Sequence, residues 1–500
     1  MKINLHMHST LSDGKKTIPE LFQMAESNEI KIISITDHDS LESTSLLSSY
    51  SGKVKKINGI EFTSQLDYEL NFYNSNYSIH VLGYDFDSDK LSRLFNDIII
   101  KREDAIKAFC LKLKQNGIEF AENIFFSSRT KLAHYLLKKG ITKNFIDAIH
   151  FINEESNFSV CLPTVKQVID IIHRSDGYAI WAHPYEMLDY SSKISLKNHE
   201  IDYLCSELSL LNIDGLEAYY GKYTIEENRF LLSMIDKYNF ITSAGTDYHG
   251  KKEDEQKYMD INDSRLISNV ISNNGDFHLS GGRITKEVIK NRQIVYRQPT
   301  KNDKLIKELL LYFEKSRFMS APKYIGLDEK GRNKFGYISG YVPSDIGSTT
   351  LKQLEEFIKI VRKMHDISNN FLGDKVICHH DLSPCNVVFR RNMPFAIIDW
   401  DCASIGERWE DITYILWLWL NISDASKNAN DLISQMQHMI FIYGDESIAK
   451  DFAKKMLTTM ERVLDSFPKE NIYYLKTKNW VIESKNWVKQ NKNKIRKMIG

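Results

Sequence analysis

The stretch Lys31-Ile32-Ile33-Ser34-Ile35-Thr36-Asp37-His38-Asp39 decides the fold of the first half of this 500-residue chain. Its apolar part has the length and composition of a buried β-strand, and its last four residues are polar and chemically capable. Similar β-rich runs with polar ends recur through residue 249, with helical stretches between several of them. Repeated strand–helix units bring their strand-to-helix loops to one end of an α/β domain. The sequence therefore predicts a barrel-like α/β domain with its site at that end.

Histidines and carboxylates are concentrated at these strand ends. His6 and His8 are two residues apart at the end of a strand, so their side chains project the same way. Imidazole and carboxylate groups together suit Zn, Mn or Fe better than Mg or Ca. The set exceeds what one ion needs, which predicts a multinuclear site formed by His6, His8, Asp13, His38, Glu61, His80, His183, Asp247 and His249.

These segments resemble, in order, the successive motifs of the PHP (polymerase and histidinol phosphatase) family, over residues 1–250. The motif segments are His6-Met7-His8-Ser9, Ser12-Asp13-Gly14, Ile35-Thr36-Asp37-His38-Asp39, Gly59-Ile60-Glu61, His80-Val81-Leu82-Gly83-Tyr84, Ala182-His183-Pro184, Gly215-Leu216-Glu217 and Gly245-Thr246-Asp247-Tyr248-His249-Gly250. Within the family, the chain is most similar to nucleotide phosphatases and small exonucleases with a helical insert.

The resemblance implies a distorted seven-stranded α/β barrel that holds three divalent metals (Mn, Zn or Fe). It implies one ion held by His6, His8, Glu61 and Asp247, a second held by Glu61, His80 and His183, and a third held by Asp13, His38 and His249. Metals of this kind generate hydroxide from bound water and clamp phosphate oxygens during in-line displacement, without a protein nucleophile. Three neighbours, Asp37, Glu217 and His173, are expected to orient imidazoles by hydrogen bonds.

An all-helical insert is predicted over about residues 102–157, with apolar spacing through Ala105, Phe109, Leu111 and Leu113. We expect it to cap the barrel mouth. The segment Ser128–Ala133 resembles the family's R-x-x-[IL]-A phosphate-site pattern. Solvated helix charges are the alternative interpretation for the phosphate-binding candidates in the insert, Arg102, Arg129, Lys131 and His134.

The second half carries a different phosphate chemistry. A polar segment rich in Asn, Asp and Ser predicts a linker at 253–277, which separates a first domain (1–252) from a second (278–500). Within the second domain, the spacing H-x-D-x-x-x-x-N in Cys378–Asn386 precedes a strand that ends in Asp399. Phosphoryl transfer to a hydroxyl requires these groups, because one aspartate accepts the hydroxyl proton while an asparagine and another aspartate hold Mg.

This domain resembles the aminoglycoside/choline kinase-like phosphotransferase family. The resemblance implies a two-lobed α+β domain that binds ATP (or GTP) and Mg, with Asp381 as catalytic base and Asn386 and Asp399 as Mg ligands. It also implies that Arg297 contacts phosphate and that Glu308 pairs with Arg297. Gly281 and Gly282 would form the phosphate-covering turn, which lacks the G-x-G-x-x-G pattern.

The whole chain has 66 basic and 66 acidic side chains and a formal net charge of +0. No global field favours nucleic acid or an anionic membrane. No apolar run is long enough for a signal peptide or a membrane span, and the six scattered cysteines predict reduced thiols in a cytoplasmic protein. The expected partners are a small phosphoester or nucleotide and a nucleoside triphosphate, with nucleic acid only as a short exonuclease substrate.

Three hypotheses follow. The leading one is a bifunctional enzyme that hydrolyses a phosphoester with its first half and phosphorylates a small-molecule hydroxyl with its second. The alternative is a nucleotide phosphatase or exonuclease with a catalytically quiet, regulatory nucleotide-binding module, which the atypical glycine turn favours. A non-catalytic scaffold is the third, and it would leave both sets of polar residues without a purpose.

Overall fold

The computed structural model describes residues 1–50, 52–66, 77–118, 129–156, 162–189, 192–251, 259–279, 288–346, 349–372, 375–466 and 474–499. The chain divides into two compact units, Met1–Phe277 and His278–Gly500. Both units mix helices and strands, which confirms the predicted α/β character. Among the described residues, no helix combines the length and apolar character that crossing a bilayer requires.

The first unit alternates short strands with helices. Its strands are β1 (Lys2–Asn4), β2 (Ile32–Ile33), β3 (Lys55–Lys56), β4 (Gly59–Gln65), β5 (Tyr77–Tyr84), β6 (Tyr178–Trp181), β7 (Glu186–Asp189), β8 (Ser192–Ser195), β9 (Gly215–Tyr220), β10 (Ile241–Gly245), β11 (Met259–Asp260) and β12 (Phe277–His278), the last of which spans the division between the units. Its helices are α1 (Ile18–Ser27), α2 (Glu42–Ser49), α3 (Ser88–Gln115), α4 (Arg129–Lys138), α5 (Phe145–Ser156), α6 (Val165–Arg174), α7 (Asn198–Leu210), α8 (Ile225–Tyr238) and α9 (Ile267–Ser272).

Strands β1 to β11 form two sheets. One has the order β11-β1-β2-β3, and the other has the order β10-β9-β6-β5-β7-β8 with β4 also paired to β5. Just after β1, Leu5 N donates to Ala244 O of β10 at 2.8 Å. After β2, Asp39 N donates to Glu61 O of β4 at 2.8 Å. These connections bring the polar ends of β1, β2, β4 and β10 to the same place.

The first helix illustrates how local sequence sets these elements. Thr17 and Glu20 form a capping box, in which Glu20 Oε2 accepts from Thr17 N at 2.7 Å, and Pro19 occupies the first turn. The apolar face of α1, which includes Leu21 and Phe22, is fully buried in one core. The apolar face of a capped amphipathic helix therefore packs in one core with Ile33 of β2.

The described part of the predicted insert is mainly helical. Helices α3, α4 and α5 share a core that contains Phe109, Leu113, Leu132 and Ile152. Leu111 is a correction, because it is 60% exposed. Phe109 and Leu113 are four residues apart and share a helix face, whereas a residue between them points elsewhere.

The predicted linker at 253–277 is also corrected, since much of it belongs to the first unit. Strand β11 pairs antiparallel with β1, with Ile3 opposite Met259. Leu266 and Ile267 are fully buried at the start of α9. The segment has the polar composition of a linker because a two-residue strand and a six-residue helix bury few side chains. Residues 252–258 lie outside the described part.

The second unit begins with an antiparallel sheet and continues mainly in helices. Its elements are β13 (Val288–Asn291), β14 (Ile294–Arg297), α10 (Asp303–Lys315), β15 (Tyr324–Leu327), β16 (Asn333–Gly336), α11 (Leu351–Leu372), β17 (Val376–Cys378), β18 (Val387–Arg390), β19 (Met393–Ile397), β20 (Ser404–Gly406), α12 (Arg408–Trp419), α13 (Ala429–Tyr443), α14 (Phe452–Ser466) and α15 (Tyr474–Met498). The sheet order is β12-β13-β14-β16-β15, and two further strand pairs are β17-β20 and β18-β19. Helix α12 is buried from Asp411 to Trp419, as its apolar sequence predicts.

Candidate functional site

The first histidine pair lies directly after β1, in the interior of the first unit. His6 and His8 are fully buried. Gly245, at the end of β10, packs against His6 so closely that a Cβ there would lie 2.2 Å from His6 Cβ. A larger residue at position 245 would displace the imidazole, so this close approach requires glycine.

Glu61, within β4, is the centre of the cluster. Its Oε2 lies 3.3 Å from His6 Nε2, 3.2 Å from His8 Nε2 and 3.2 Å from His38 Nδ1. Its Oε1 lies 2.8 Å from His80 Nδ1 and 3.2 Å from His183 Nε2. One fully buried carboxylate thus faces five imidazoles.

Two aspartates complete the cluster. Asp247 Oδ1 lies 3.2 Å from His8 Nε2 and 3.3 Å from His249 Nδ1. Asp13 Oδ2 lies 3.6 Å from His38 Nε2 and 3.3 Å from His249 Nε2. The structure therefore brings together all nine side chains predicted to bind metal in the first half.

The spacing of these atoms fits divalent cations. Around an ion with bonds of about 2.1 Å, neighbouring ligand atoms lie about 3.0 to 3.4 Å apart. Ligand atoms of His6, His8, Glu61 and Asp247 form one compact group, those of His8, Asp13, His38 and His249 a second, and those of His38, Glu61 and His80 a third. Among the described residues, His6 Nε2, His8 Nε2 and Glu61 Oε2 are buried and make no hydrogen bond. Buried polar atoms of this kind are costly unless another group satisfies them.

Protonation in the cluster is uneven. Burial opposes protonation of His8, but hydrogen bonds to Asp247 and Glu61 outweigh it and raise the pKa of His8 to about 10. Burial dominates at His38 and lowers its pKa to about 4, against the attraction of Asp13 and Glu61. Both shifts follow from placing many titratable groups in a water-poor interior.

The groups predicted to orient imidazoles divide three ways. Glu217 does so, since its Oε1 lies 3.1 Å from His6 Nδ1 and its Oε2 accepts from His183 N at 3.0 Å. Asp37 instead accepts from Ser9 N (2.7 Å) and Ser12 Oγ (2.6 Å), so it fixes the loop that carries Asp13. His173 is a correction, because its Nε2 contacts Asp214 Oδ2 at 2.7 Å and it lies outside the cluster.

The predicted phosphate-binding residues of the insert have different surroundings. Arg102 is buried, and its NH1 lies 3.0 Å from Asp39 Oδ2, so its guanidinium is held in an internal ion pair. His134 is exposed on α4. Lys131 is also on α4, and the side chain of Arg129 lies outside the described part. The phosphate assignments for these residues stay predictions.

Two further residues beside the cluster escaped the sequence reasoning. The Tyr220 hydroxyl donates to Asp247 Oδ2 at 3.0 Å. Lys222 Nζ donates to the Tyr220 hydroxyl at 2.8 Å and to Asp247 Oδ2 at 3.3 Å. Their position at the end of β9, just after Glu217, could have indicated them as site residues, but they belong to no recognised motif.

The predicted catalytic loop of the second unit is held by local hydrogen bonds. Tyr414 OH donates to Asp381 Oδ1 at 2.6 Å, and Asn386 Nδ2 donates to Asp381 O at 2.8 Å. His379 Nε2 donates to Ile398 O at 3.0 Å, which connects this loop to the strand end before the second aspartate. Asp381 is partly exposed at the loop.

Arg297 lies between two aspartates rather than beside its predicted partner. Its NH2 is 2.7 Å from Asp399 Oδ1 and 2.7 Å from Asp401 Oδ2. Glu308 is exposed on α10 and makes no contact with Arg297, which corrects the predicted pair. The Asp399 backbone is left-handed (φ 64°), which aims its carboxylate toward β14. Gly281 and Gly282 lie outside the described residues.

Asp411, at the start of α12, fixes the backbone of the catalytic loop. Its carboxylate accepts from His379 N at 2.8 Å and from His380 N at 2.9 Å, and its Oδ2 lies 3.1 Å from His365 Nε2. Burial alone would raise the pKa of Asp411, but the hydrogen bond and charge of His365 outweigh it and lower the pKa to about 2. The fully buried carboxylate therefore stabilises this unit in its ionised form.

Replacing Asp411 with asparagine is expected to destabilise the second unit by about 2 kcal/mol at pH 7, since a lowered pKa reports preferential stabilisation of the charged form. The pKa of Asp411 is lowered from 3.8 to about 2, so the stabilisation is complete above pH 4 and is lost as pH falls through 2. Urea unfolding of the wild type and the variant between pH 7 and pH 3 measures the difference. Asp465 is exposed in the same unit, so Asp465→Asn is the control and should have little effect. Equal midpoints for Asp411→Asn and the wild type at pH 7 would contradict this role.

Sequence profiles of two known families match the chain. The profile of the PHP domain matches residues 4–319, and that of the phosphotransferase enzyme family matches residues 339–432. The first match covers more than half of the chain and runs past the division at Phe277 into the second structural unit. The second match includes the loop from Cys378 to Asn386.

Three curated relatives illustrate the range of similar proteins. The trifolitoxin immunity protein of Rhizobium leguminosarum is 30% identical over 160 residues, which are 28% of this chain and 59% of that protein. A 5'-3' exoribonuclease of Haemophilus influenzae is 24% identical, over 50% of this chain and 90% of its own. The phosphoribosyl 1,2-cyclic phosphate 1,2-diphosphodiesterase of Eggerthella lenta is 21% identical, over 50% of this chain and 94% of its own.

Proposed function

Because this chain belongs to the PHP domain family and carries a segment of the phosphotransferase enzyme family, we propose that it is a bifunctional enzyme. The first unit hydrolyses the phosphoester of a phosphorylated small metabolite or nucleotide. The second unit transfers a phosphoryl group from ATP or GTP to a hydroxyl of a small molecule. The proposed domains follow the structural division, 1–277 and 278–500.

The observation that carries the hydrolase proposal is the placement of five imidazoles around Glu61. Three ions of Mn, Zn or Fe fit the three ligand groups, and His8, His38 and Glu61 would each serve two groups. Such ions supply hydroxide at neutral pH and stabilise charge on phosphate oxygens. Glu217 holds the His6 ring and the His183 backbone, so the ligand set is pre-oriented.

Backbone strain at the site supports the same proposal. His183 and Asp247 have positive φ values of 29° and 50°, in a region that non-glycine residues rarely adopt. Strained backbone persists where the surrounding structure holds it, and it concentrates at functional sites. Both residues supply side chains to the cluster, so the strained backbone positions ligand side chains.

We further propose that the first unit closes into the distorted seven-stranded barrel of the family. Support comes from the backbone bonds Leu5 N to Ala244 O (2.8 Å) and Asp39 N to Glu61 O (2.8 Å), which connect the two sheets. A closed barrel would gather the strand ends that carry the cluster. The cap role of the helical insert and the cytoplasmic localisation also remain predictions.

The kinase assignment rests on the arrangement of Asp381, Asn386 and Asp399. A set of two carboxylates and an amide suits Mg, which prefers oxygen ligands. Asp381 would accept the hydroxyl proton of the acceptor, and Arg297 would contact nucleotide phosphates. The alternative, a regulatory nucleotide-binding module without catalysis, is favoured by the ion pairs of Arg297 with Asp399 and Asp401, because they compete with a metal for both carboxylates.

A substrate panel tests the first half. Full-length protein loaded with Mn is incubated with p-nitrophenyl phosphate, nucleoside monophosphates and bisphosphates, and short oligonucleotides, and phosphate or nucleotide release is measured. We expect metal-dependent hydrolysis of at least one class that EDTA abolishes. If no ester is cleaved with Mn, Zn or Fe, and the purified protein binds none of these metals, the hydrolase proposal is wrong.

A further inference from the structure

The turn after β9 places a lysine against the metal-ligand cluster. The backbone there is fixed, because Gly221 N donates to Gly245 O at 3.0 Å and Tyr223 N donates to Tyr220 O at 3.0 Å. Lys222, between these two bonds, is thereby directed back toward Asp247. Its ammonium lies 3.3 Å from Asp247 Oδ2 and 5.0 Å from the centre of the Tyr220 ring.

The two oxygens of Asp247 have different surroundings. Oδ1 faces the imidazoles of His6, His8 and His249 at 3.5, 3.2 and 3.3 Å. Oδ2 faces the Tyr220 hydroxyl and Lys222 Nζ. Lys222 therefore contacts the Asp247 oxygen that does not face the imidazoles, one carboxylate from the proposed metals.

The ammonium is not fully used by the protein. It has three N–H donors, of which Tyr220 OH and Asp247 Oδ2 take two. The Lys222 side chain is 34% exposed, whereas the Asp247 side chain is 7% exposed. Among the contacts of the described residues, one donor of Lys222 is thus available beside the cluster.

The charge balance of the cluster explains why the Lys222 ammonium, beside the proposed metal ions, implies a bound anion. Asp13, Glu61, Asp247 and Glu217 supply four negative charges, and two or three divalent ions would balance or exceed them. A lysine needed only to neutralise Asp247 would then be repelled by the neighbouring ions. An anionic group shared by the ions and the ammonium removes that repulsion.

We propose that Lys222 is a substrate-binding residue of the first unit, which donates a charge-assisted hydrogen bond to a phosphoryl oxygen of the phosphoester. The inference rests on the proposed hydrolase function and deepens it by assigning a phosphate contact to a residue outside the metal ligands. Tyr220 is a positioning residue, because its hydroxyl accepts from Lys222 and donates to Asp247. The phosphate contact of Arg102 stays a separate prediction, since Arg102 pairs with Asp39.

Binding of inorganic phosphate to the Mn-loaded full-length protein, measured by titration calorimetry, tests the inference without turnover. We expect Lys222→Met to weaken phosphate binding about 10- to 100-fold, the range for a hydrogen bond to a charged group. Lys222→Arg should recover part of the affinity, and metal content should be unchanged in both variants. Lys237 forms a similarly exposed ion pair with Asp202, so Lys237→Met is the matched control and should bind phosphate like the wild type.

The outcomes separate the inference from the proposed function. Wild-type affinity in Lys222→Met overturns the role of Lys222 and leaves the hydrolase proposal intact. Loss of metal from Lys222→Met also overturns it, because Lys222 would then act by holding Asp247. A wild-type Mn-loaded protein that binds no phosphate contradicts the hydrolase proposal itself.

Discussion

Replacing Glu61 with glutamine is expected to lower phosphoesterase activity about 10³-fold or more, because metal ions contribute several kcal/mol of transition-state stabilisation and each 1.36 kcal/mol is a factor of ten. Glutamine has nearly the same shape, but it is neutral and one of its terminal atoms is an NH₂ donor that cannot bind a cation. Glu61 faces five imidazoles, so the change affects two of the three ligand groups at once. Metal content and initial hydrolysis rates of the purified variant measure both consequences.

Glu217→Gln is the matched control for this prediction. It makes the same chemical change on a fully buried glutamate that contacts His6 but belongs to none of the three ligand groups. Groups of this kind change metal affinity or activity by about 10- to 100-fold when altered. Equal losses in the two variants would mean that Glu61 acts only by orienting histidines, and an active, metal-replete Glu61→Gln would remove it from the metal site.

The sequence was informative where a residue's role depends on its place along a strand. His6, His8, Glu61 and Asp247 were predicted to lie close together because strand ends converge in an α/β domain, and the resemblance to the PHP family assigned them to one ion. The structure gathers their ligand atoms. The helices α1 and α12 follow from capping and apolar spacing in the same way. In each case neighbouring residues carry the information, so no distant contact has to be known.

Residues whose roles depend on distant partners were less predictable. Arg102 has the charge of a phosphate ligand, but the ion pair with Asp39 joins residues 63 positions apart and no local pattern indicates it. Glu308 was predicted to pair with Arg297, yet it lies on the exposed face of α10. Lys222 was not predicted, because its proposed role depends on contacts with Tyr220 and with Asp247, and Asp247 is distant in sequence.

The kinase-like half is tested by two isosteric changes with different expected effects. Asp381→Asn should lower phosphoryl transfer or slow ATP hydrolysis about 10²- to 10⁴-fold, the range for removing a general base, while Mg-ATP binding is retained. Asp399→Asn should abolish Mg-dependent nucleotide binding, because it removes a carboxylate that a metal requires and leaves Arg297 with Asp401 alone. Calorimetric titration with ATP, with and without Mg, and a phosphate-release assay measure both effects.

Glu308→Gln is the control for this pair, since that carboxylate is exposed on α10 and should affect neither binding nor turnover. If the wild type binds ATP equally well with and without Mg and shows no turnover, Arg297 is serving as the cation for the phosphates and the regulatory alternative holds. If it binds neither ATP nor GTP, both versions of the assignment fail. A working kinase would be established by two results together: Mg-dependent ATP binding is lost only in Asp399→Asn, and turnover is lost in both aspartate variants. The reason is that Asp381 can act as a base only when a metal–nucleotide complex displaces Arg297 from Asp399.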